Sequence, residues 1–389
     1  MINFRFSCPT EMIFGKEVQA LAGEEAKKYG SKVLLHYGSG HIKKSGLYDQ
    51  VKTSLIEAGL GFVELGGVAP NPRLSLAREG IKLCRENDVD FILAVGGGSV
   101  IDSAKAIAAG VMYDGDVWDF YSKGISPADA LPIGVVLTIP AAGSESSDSS
   151  VLSDLENGNK RHMAGTALLP KFALMNPELT YTLPPYQTAC GAADIMAHIM
   201  ERYFTRVSNV ELTDRLCEAT LKTIIGNVPA ALADAENYDA RAEIMWAGSI
   251  AHNELLGTGR ISDWASHMIE HELSAINDVA HGAGLAIIFP AWMRYVYKQD
   301  ISRFAQFAAR VWNKEMDYSD PEKTALAGID AIKAFFCSIG LPVSLSEIGI
   351  KPEHYVHIAD NCRRTGNNAV GSFVPLQSQD IIEILKIAQ

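Results

Sequence analysis

The chain has 389 residues, 48% hydrophobic and 21% charged, enough for two domains that each bury a core. Its formal net charge of −12 excludes nucleic acid as an expected partner, because a phosphate backbone demands a basic face. No apolar run reaches the roughly 20 residues that span a bilayer, and Met1–Pro9 lacks a basic region followed by an apolar one, so neither a membrane partner nor a secretory signal is expected.

In chain order, Phe4–Phe14 reads as a hairpin around Cys8-Pro9-Thr10, either an edge element or a subunit contact. Short apolar runs bounded by Gly, Pro or Asn follow at Lys32–Tyr37, Gly61–Leu65, Asp90–Val95, Ile133–Ile139 and Phe172–Met175, and these are predicted strands. Helical patterns such as Lys43–Ala58 and Leu74–Asn87 lie between them, which predicts a parallel sheet covered on both faces. After Leu183-Pro184-Pro185 the texture becomes helical, with Val210–Leu232, Asp239–Leu256 and Ile301–Asn313 as examples. The expected organisation is an α/β nucleotide-binding domain over 1–184 and an all-α domain over 185–389. Six cysteines (Cys8, Cys84, Cys190, Cys217, Cys337, Cys362) are scattered singly and read as thiols of a reducing, cytoplasmic compartment.

Two turns carry the nucleotide reading. The strand Phe91–Val95 runs into Gly96-Gly97-Gly98-Ser99 and then directly into a helix with Asp102 in its first turn. Glycines admit a ligand close to the backbone, and free N–H groups at a helix start attract phosphate. This is not the GxGxxG fingerprint, and a plain structural turn is the alternative. The first strand ends in Gly38-Ser39-Gly40, with no carboxylate for a ribose 2′-hydroxyl and with His41, Lys43 and Lys44 following. That leaves room for a 2′-phosphate and favours NADP(H); a surface turn with solvated lysines is the other reading.

The ion reading rests on spacing. Asp194 and His198 stand one helical turn apart, and His267, His271 and His281 fall within fifteen residues of a largely apolar stretch. An Asp–His pair alone is usually a hydrogen bond, and a single histidine there would be a satisfied core residue. Asp194, His198, His267 and His281 together offer one carboxylate and three imidazoles, a set suited to Fe²⁺ or Zn²⁺ and without the thiolates of most structural zinc sites. His271, one turn beyond His267, then supports a ligand or carries a proton.

These residues, with YGSGHIKKSGLYD (37–49), APNPR (69–73), GGGSVIDSAKAIA (96–108), LTIPAAGSESS (137–147), DIMAHIMERYF (194–204), HMIEHELSA (267–275) and HGAGLAIIFPAW (281–292), make the chain resemble the iron-containing (group III) alcohol dehydrogenases over nearly its whole length. Within them it is most similar to the NADPH-dependent butanol dehydrogenase and aldehyde reductase branch. The resemblance implies a dehydroquinate synthase-like architecture, a homodimer, a small alcohol or aldehyde substrate, and Fe²⁺ ahead of Zn²⁺ on Asp194, His198, His267 and His281. It implies His271 beside the substrate as the catalytic proton relay. Its NADP(H) contacts fall on Gly38, Ser39, Gly40 and Asn71, on Gly97, Gly98 and Ser99 at the pyrophosphate, and on Thr138, Ser147 and Lys160; Asp102 joins this set from the helix start. Two departures are His41 closing a turn where the branch often has Gly-Gly-Gly-Ser, and Ala142 where a threonine is common.

A dehydroquinate synthase-like lyase needs basic residues around its ion, whereas Trp264, Met268 and His271 are what this chain offers near the expected ligands, with Arg260 further away. A non-catalytic nucleotide-binding protein would have no use for the full ligand set.

Overall fold

The computed structural model describes residues 1–363 and 369–389. Two compact units are formed, Ser7–Thr182 and Leu183–Gln389, and the second also takes in Met1–Phe6. The first six residues therefore do not belong with the α/β unit as the 1–184 assignment expects.

The α/β unit contains β1 (Glu11–Phe14), α1 (Ala22–Lys27), β2 (Lys32–Gly38), α2 (His41–Lys44), α3 (Leu47–Glu57), β3 (Gly61–Val68), α4 (Leu74–Glu86), β4 (Phe91–Gly97), α5 (Gly98–Val111), α6 (Trp118–Ser122), β5 (Ile133–Ile139), β6 (Ser149–Asp154), β7 (Asn159–Ala164) and β8 (Phe172–Met175). Six strands pair in parallel in the order β1-β8-β5-β4-β2-β3. The central strand β4 is buried along its whole length, as its unbroken apolar sequence requires of a strand covered on both faces. The chain winds outward one way from β2 to β3 and the other way from β4, so the order reverses between β2 and β4. That is where parallel sheets open a ligand crevice at their carboxyl edge.

Two sequence expectations fail here for local reasons, and one element was not expected at all. The hairpin at Phe4–Phe14 does not form: residues 1–6 instead pack with the helical unit, where Ile2 N donates to Gly259 O at 3.0 Å, and Glu11–Phe14 joins the sheet edge parallel to β8. The helix over Lys43–Ala58 is broken in two by Gly46, whose φ of 80° lies in the left-handed region. The antiparallel ribbon β6–β7 went unread because polar and charged residues dominate it.

The helical unit contains α7 (Pro185–Tyr203), α8 (Glu211–Ala233), α9 (Tyr238–His252), α10 (Ala265–Asn277), α11 (His281–Val296), α12 (Ile301–Trp312), α13 (Pro321–Ser338), α14 (Tyr355–Arg363) and α15 (Ser378–Ile387). Helix α7 is buried continuously from Thr188 to Tyr203, which makes it the axis on which α8, α9 and α11 pack. It starts at Pro185, where a missing N–H costs nothing. Among the described residues, no helix is long and apolar enough to cross a membrane.

Candidate metal centre and nucleotide turn

In the helical unit, three helices converge on one point. Asp194 and His198 come from α7, His267 from the first turn of α10, and His281 opens α11. Asp194, His267 and His281 each present a ligand atom, all within 4.8 Å of one another. Asp194 Oδ1 lies 3.6 Å from His281 Nε2 and 3.9 Å from His267 Nε2. His198 stands beside this group, with Nδ1 3.3 Å from Asp194 Oδ1 and its ring centroid 4.7 Å from that of His267.

Close backbone approach makes this convergence possible. A Cβ on Gly282 would stand 1.9 Å from the Cys190 carbonyl oxygen, so only glycine lets the start of α11 lie against α7 and deliver His281.

The ring orientations are set by carboxylates that the sequence reading missed. Glu201, fully buried on α7, accepts from His267 Nδ1 at 2.8 Å and from the backbone N–H groups of Trp264 and His267 at 2.7 and 3.1 Å. One carboxylate thus caps α10 and turns the Nε2 of His267 toward the cluster. It also holds Trp264 at a left-handed φ of 69°. Glu270, likewise buried, accepts from His281 Nδ1 and does the same for that ring. The signal for Glu201 was present: Asp194, His198 and Glu201 are spaced i, i+4, i+7, one stripe of α7.

The donor set fits a divalent cation. Among the described residues, the buried His198 Nδ1 and His267 Nε2 make no hydrogen bond, a costly state for a polar atom unless a cation meets its lone pair. Burial, then the neighbouring His252 and His267 rings, holds His198 well below the ordinary imidazole range, so it presents that lone pair. His252, whose ring lies 4.2 Å from that of His198, had no distinguishing sequence signal.

His271 lies outside the tight cluster, its ring centroid 5.5 Å from that of His281. Both are half-buried, whereas Asp194, His198 and His267 are buried, so the accessible side of the centre is the side of His271 and His281. Half-buried Trp264, Met268, Val279 and Ala280 adjoin these residues in the chain and give the centre a mainly apolar margin.

In the α/β unit, the expected dinucleotide residues gather at the carboxyl edge of the sheet. Tyr37 pairs with Val95 and Gly96 with Leu137, which brings Gly38–Gly40, Gly97–Ser99 and Thr138 to adjacent strand ends. Gly97 and Gly98 form the junction of β4 and α5, with Ser99 in the first turn of α5. Asn71 takes a left-handed φ of 54° in its Pro-Asn-Pro turn, and Pro72 O accepts from Ser153 N at 2.8 Å. Ser153 pairs with Lys160 across β6–β7, so the ribbon brings Lys160 to the Asn71 turn. That ribbon accounts for two expected contacts far apart in sequence.

Two expected contacts are placed differently. Asp102 Oδ1 accepts from Ser144 Oγ at 2.6 Å and Oδ2 from Val151 N at 3.0 Å, so both oxygens pin the chain that follows β5. Ser147 is buried, with its hydroxyl 3.3 Å from both Lys105 Nζ and Ser149 Oγ. These side chains shape the nucleotide turn from within. Near the first turn, Lys43 stands over the rings of Tyr37 and Tyr48, 5.1 and 4.6 Å from their centroids.

Comparison with known proteins agrees with this geometry. Residues 9–177 match the family model for iron-containing alcohol dehydrogenase, and residues 188–389 match that for the C-terminal part of the Fe-containing alcohol dehydrogenase family. The chain is 46% identical over 387 residues, 99% of each sequence, to the probable NADH-dependent butanol dehydrogenase 1 of Bacillus subtilis. It is 41% identical over 354 residues, 90% of each, to the NADPH-dependent aldehyde reductase YqhD of Escherichia coli. The crystal structure of NADH-dependent butanol dehydrogenase A from Thermotoga maritima superposes with a TM-score of 0.96 at 41% identity, covering 100% of this chain and 99% of that one.

Proposed function

The chain belongs to the iron-containing alcohol dehydrogenase family, and from that premise we propose that it interconverts small primary alcohols such as butanol and their aldehydes, using NADP(H) and Fe²⁺. Alcohol–aldehyde interconversion with a nicotinamide dinucleotide is the activity; the chain length, the dinucleotide and the ion are the proposal. The observation that carries it is the turning of Asp194, His267 and His281 to one point, with His198 beside Asp194, while two buried imidazole nitrogens keep their lone pairs unused by hydrogen bonds.

A divalent ion on these ligands supplies Lewis acidity toward a substrate oxygen. Glu201 and Glu270 keep the rings of His267 and His281 in the tautomer that leaves Nε2 available. Asp194 is the one anionic ligand and trims the positive charge without cancelling it. His271, on the accessible side, passes a proton between substrate oxygen and solvent. The apolar margin favours a short alkyl chain over a phosphorylated or acidic substrate.

NADP(H) is supported by the absence of a carboxylate from Gly38-Ser39-Gly40 and by Lys43 and Lys44 just beyond it. The relatives named above are split between NADH and NADPH, so this preference belongs to the chain's own residues. A homodimer is supported by the exposed Met1, Ile2, Phe4 and Phe6, an apolar stretch of the kind that self-association covers. A cytoplasmic setting is supported by six free cysteines.

The deciding experiment purifies the protein without oxygen, measures its metal, and follows NADPH and NADH oxidation with butanal in the stripped, Fe²⁺-loaded and Zn²⁺-loaded states. The expected result is iron in the purified protein and metal-dependent turnover with a higher kcat/KM for NADPH. Turnover that survives stripping, or no reduction of butanal with either dinucleotide, overturns the proposal.

A further inference from the structure

The nucleotide turn encloses a cation that the reaction above does not use. Lys105, on α5 two turns beyond Gly98, is fully buried. Its ammonium donates to the backbone carbonyls of Ser144, Ser147 and Ser149 at 2.7, 2.8 and 2.8 Å, and lies 2.9 Å from Ser144 Oγ. Three N–H donors thus meet three carbonyls of one short turn. A lysine ammonium is seldom withdrawn from water, and here each of its protons has an acceptor. Asp102, Glu145 and Asp148 are the charged groups that act on it, all favouring the ammonium.

The clasped turn is the one that leaves β5 for β6, at the carboxyl edge of the sheet. It lies directly on the start of α5: a Cβ on Gly98 would come within 2.9 Å of Ala142 Cβ, and Ser144 Oγ reaches back to Asp102. Ser144–Ser147 are buried against the lysine, while Thr138, Ile139, Ala141 and Ala142 are half-buried. A trans peptide carries its C=O and N–H in opposite directions, so drawing three carbonyls onto one cation fixes three peptide planes together.

We propose that Lys105 is a positioning residue for dinucleotide binding: its ammonium clasps the Ser144–Ser149 turn to the start of α5 and thereby sets the wall that Thr138–Ala142 presents beside Gly98 and Ser99. The role rests on the dinucleotide reading of that edge. It explains why the serine-rich segment is full of hydroxyls that face inward, and it assigns Asp102 and Ser147 to the same clasp.

The test measures the NADPH dissociation constant of metal-stripped protein by nucleotide fluorescence, with amide hydrogen exchange across residues 141–151. Lys105→Met is expected to raise the dissociation constant about 10- to 100-fold, as loss of charged hydrogen bonds implies, and to speed exchange in that segment. Lys105→Arg keeps a cation with several donors and recovers most of the affinity.

The wild type supplies a second measurement should Lys105→Met not fold. Burial pulls the ammonium down to about 8. Raising the pH through that value removes a proton from the clasp, so affinity falls and exchange rises together. Tyr121, held well above its ordinary range by burial, and His36, pulled down to about 4, reach the same region through Ser150 and Ser103 and stay silent there. A wild-type affinity that is flat across that rise, or a folded Lys105→Met that binds within about twofold of wild type, overturns the role and leaves the proposed function standing. A wild type that binds no dinucleotide overturns both.

Discussion

In the α/β unit the expected dinucleotide contacts are mostly glycines, small side chains and backbone N–H groups at neighbouring strand ends, and they come from short contiguous runs such as Gly38–Gly40 and Gly97–Ser99. In the helical unit the proposed ion ligands are four side chains from three helices, spread from Asp194 to His281. The difference follows from what each ligand asks for. A pyrophosphate is met by any close-lying set of N–H groups, which one strand-to-helix turn supplies by itself. A divalent ion asks for a few lone pairs at fixed distances, and each ring must be aimed by a further partner. The nucleotide edge should therefore be sensitive to added volume, and the metal centre to lost donors.

The sharpest break in that comparison is His267→Ala. It removes a ligand and the centre's link to Glu201, so iron content and turnover should vanish together, with activity falling by about 1,000-fold or more. Retained iron by elemental analysis would show that the four residues are not the ligand set.

Gly98→Val makes the opposite break. The added side chain meets Ala142, so NADPH binding should weaken by about 100-fold while iron binding is unchanged. Equal loss of both would blur the division into a volume-limited and a donor-limited half.

His271→Ala should keep the iron and lower kcat by about 100-fold at neutral pH, as removal of a proton relay does. If the iron is lost instead, His271 is a ligand. Glu201→Gln comes next: the ring of His267 loses its anionic partner, and iron affinity should fall by about 10- to 100-fold, read by competition with a chelator. Unchanged affinity would mean that packing alone aims the ring.

A separate prediction, on stability and not on binding, concerns the scaffold beneath the nucleotide edge. His36 in β2 is fully buried between Leu65 O and Ser103 Oγ, and burial pulls its pKa from 6.5 to about 4. Between those values the unfolded chain takes up a proton that the folded one refuses, so stability falls as the pH drops through that window. The loss is about 3 kcal/mol by linkage. His36→Gln should flatten this acid slope in urea-unfolding midpoints followed from pH 7 to about 4, and an unchanged slope would assign it elsewhere.

How much of this could be read in advance varied by element. Strands such as Ile133–Ile139 and Phe172–Met175 were legible to the residue because a strand buried on both faces is an unbroken apolar run with punctuated ends. The β6–β7 ribbon was not, since polar residues dominate it and its place is set by the Asn71 turn and by Asp102. Asp194 and His198 were visible as a helical pair, yet Glu201 on the same stripe went unread. A buried glutamate in a helix looks like a solvated one until its neighbours are known.

The sequence by itself determined the alternation of strand and helix in the first half, the helical second half, the glycine turns, and which residue types were available to hold an ion. Those properties reside in hydrophobic period and local backbone preference, and they act over a few residues. Only the tertiary structure decided that α7, α10 and α11 bring their side chains to one point, that Glu201 and Glu270 aim the rings, and that Lys105 is enclosed by carbonyls instead of solvent. Burial and pairing are properties of the packed chain: whether a charged group faces water or a partner depends on residues tens of positions away.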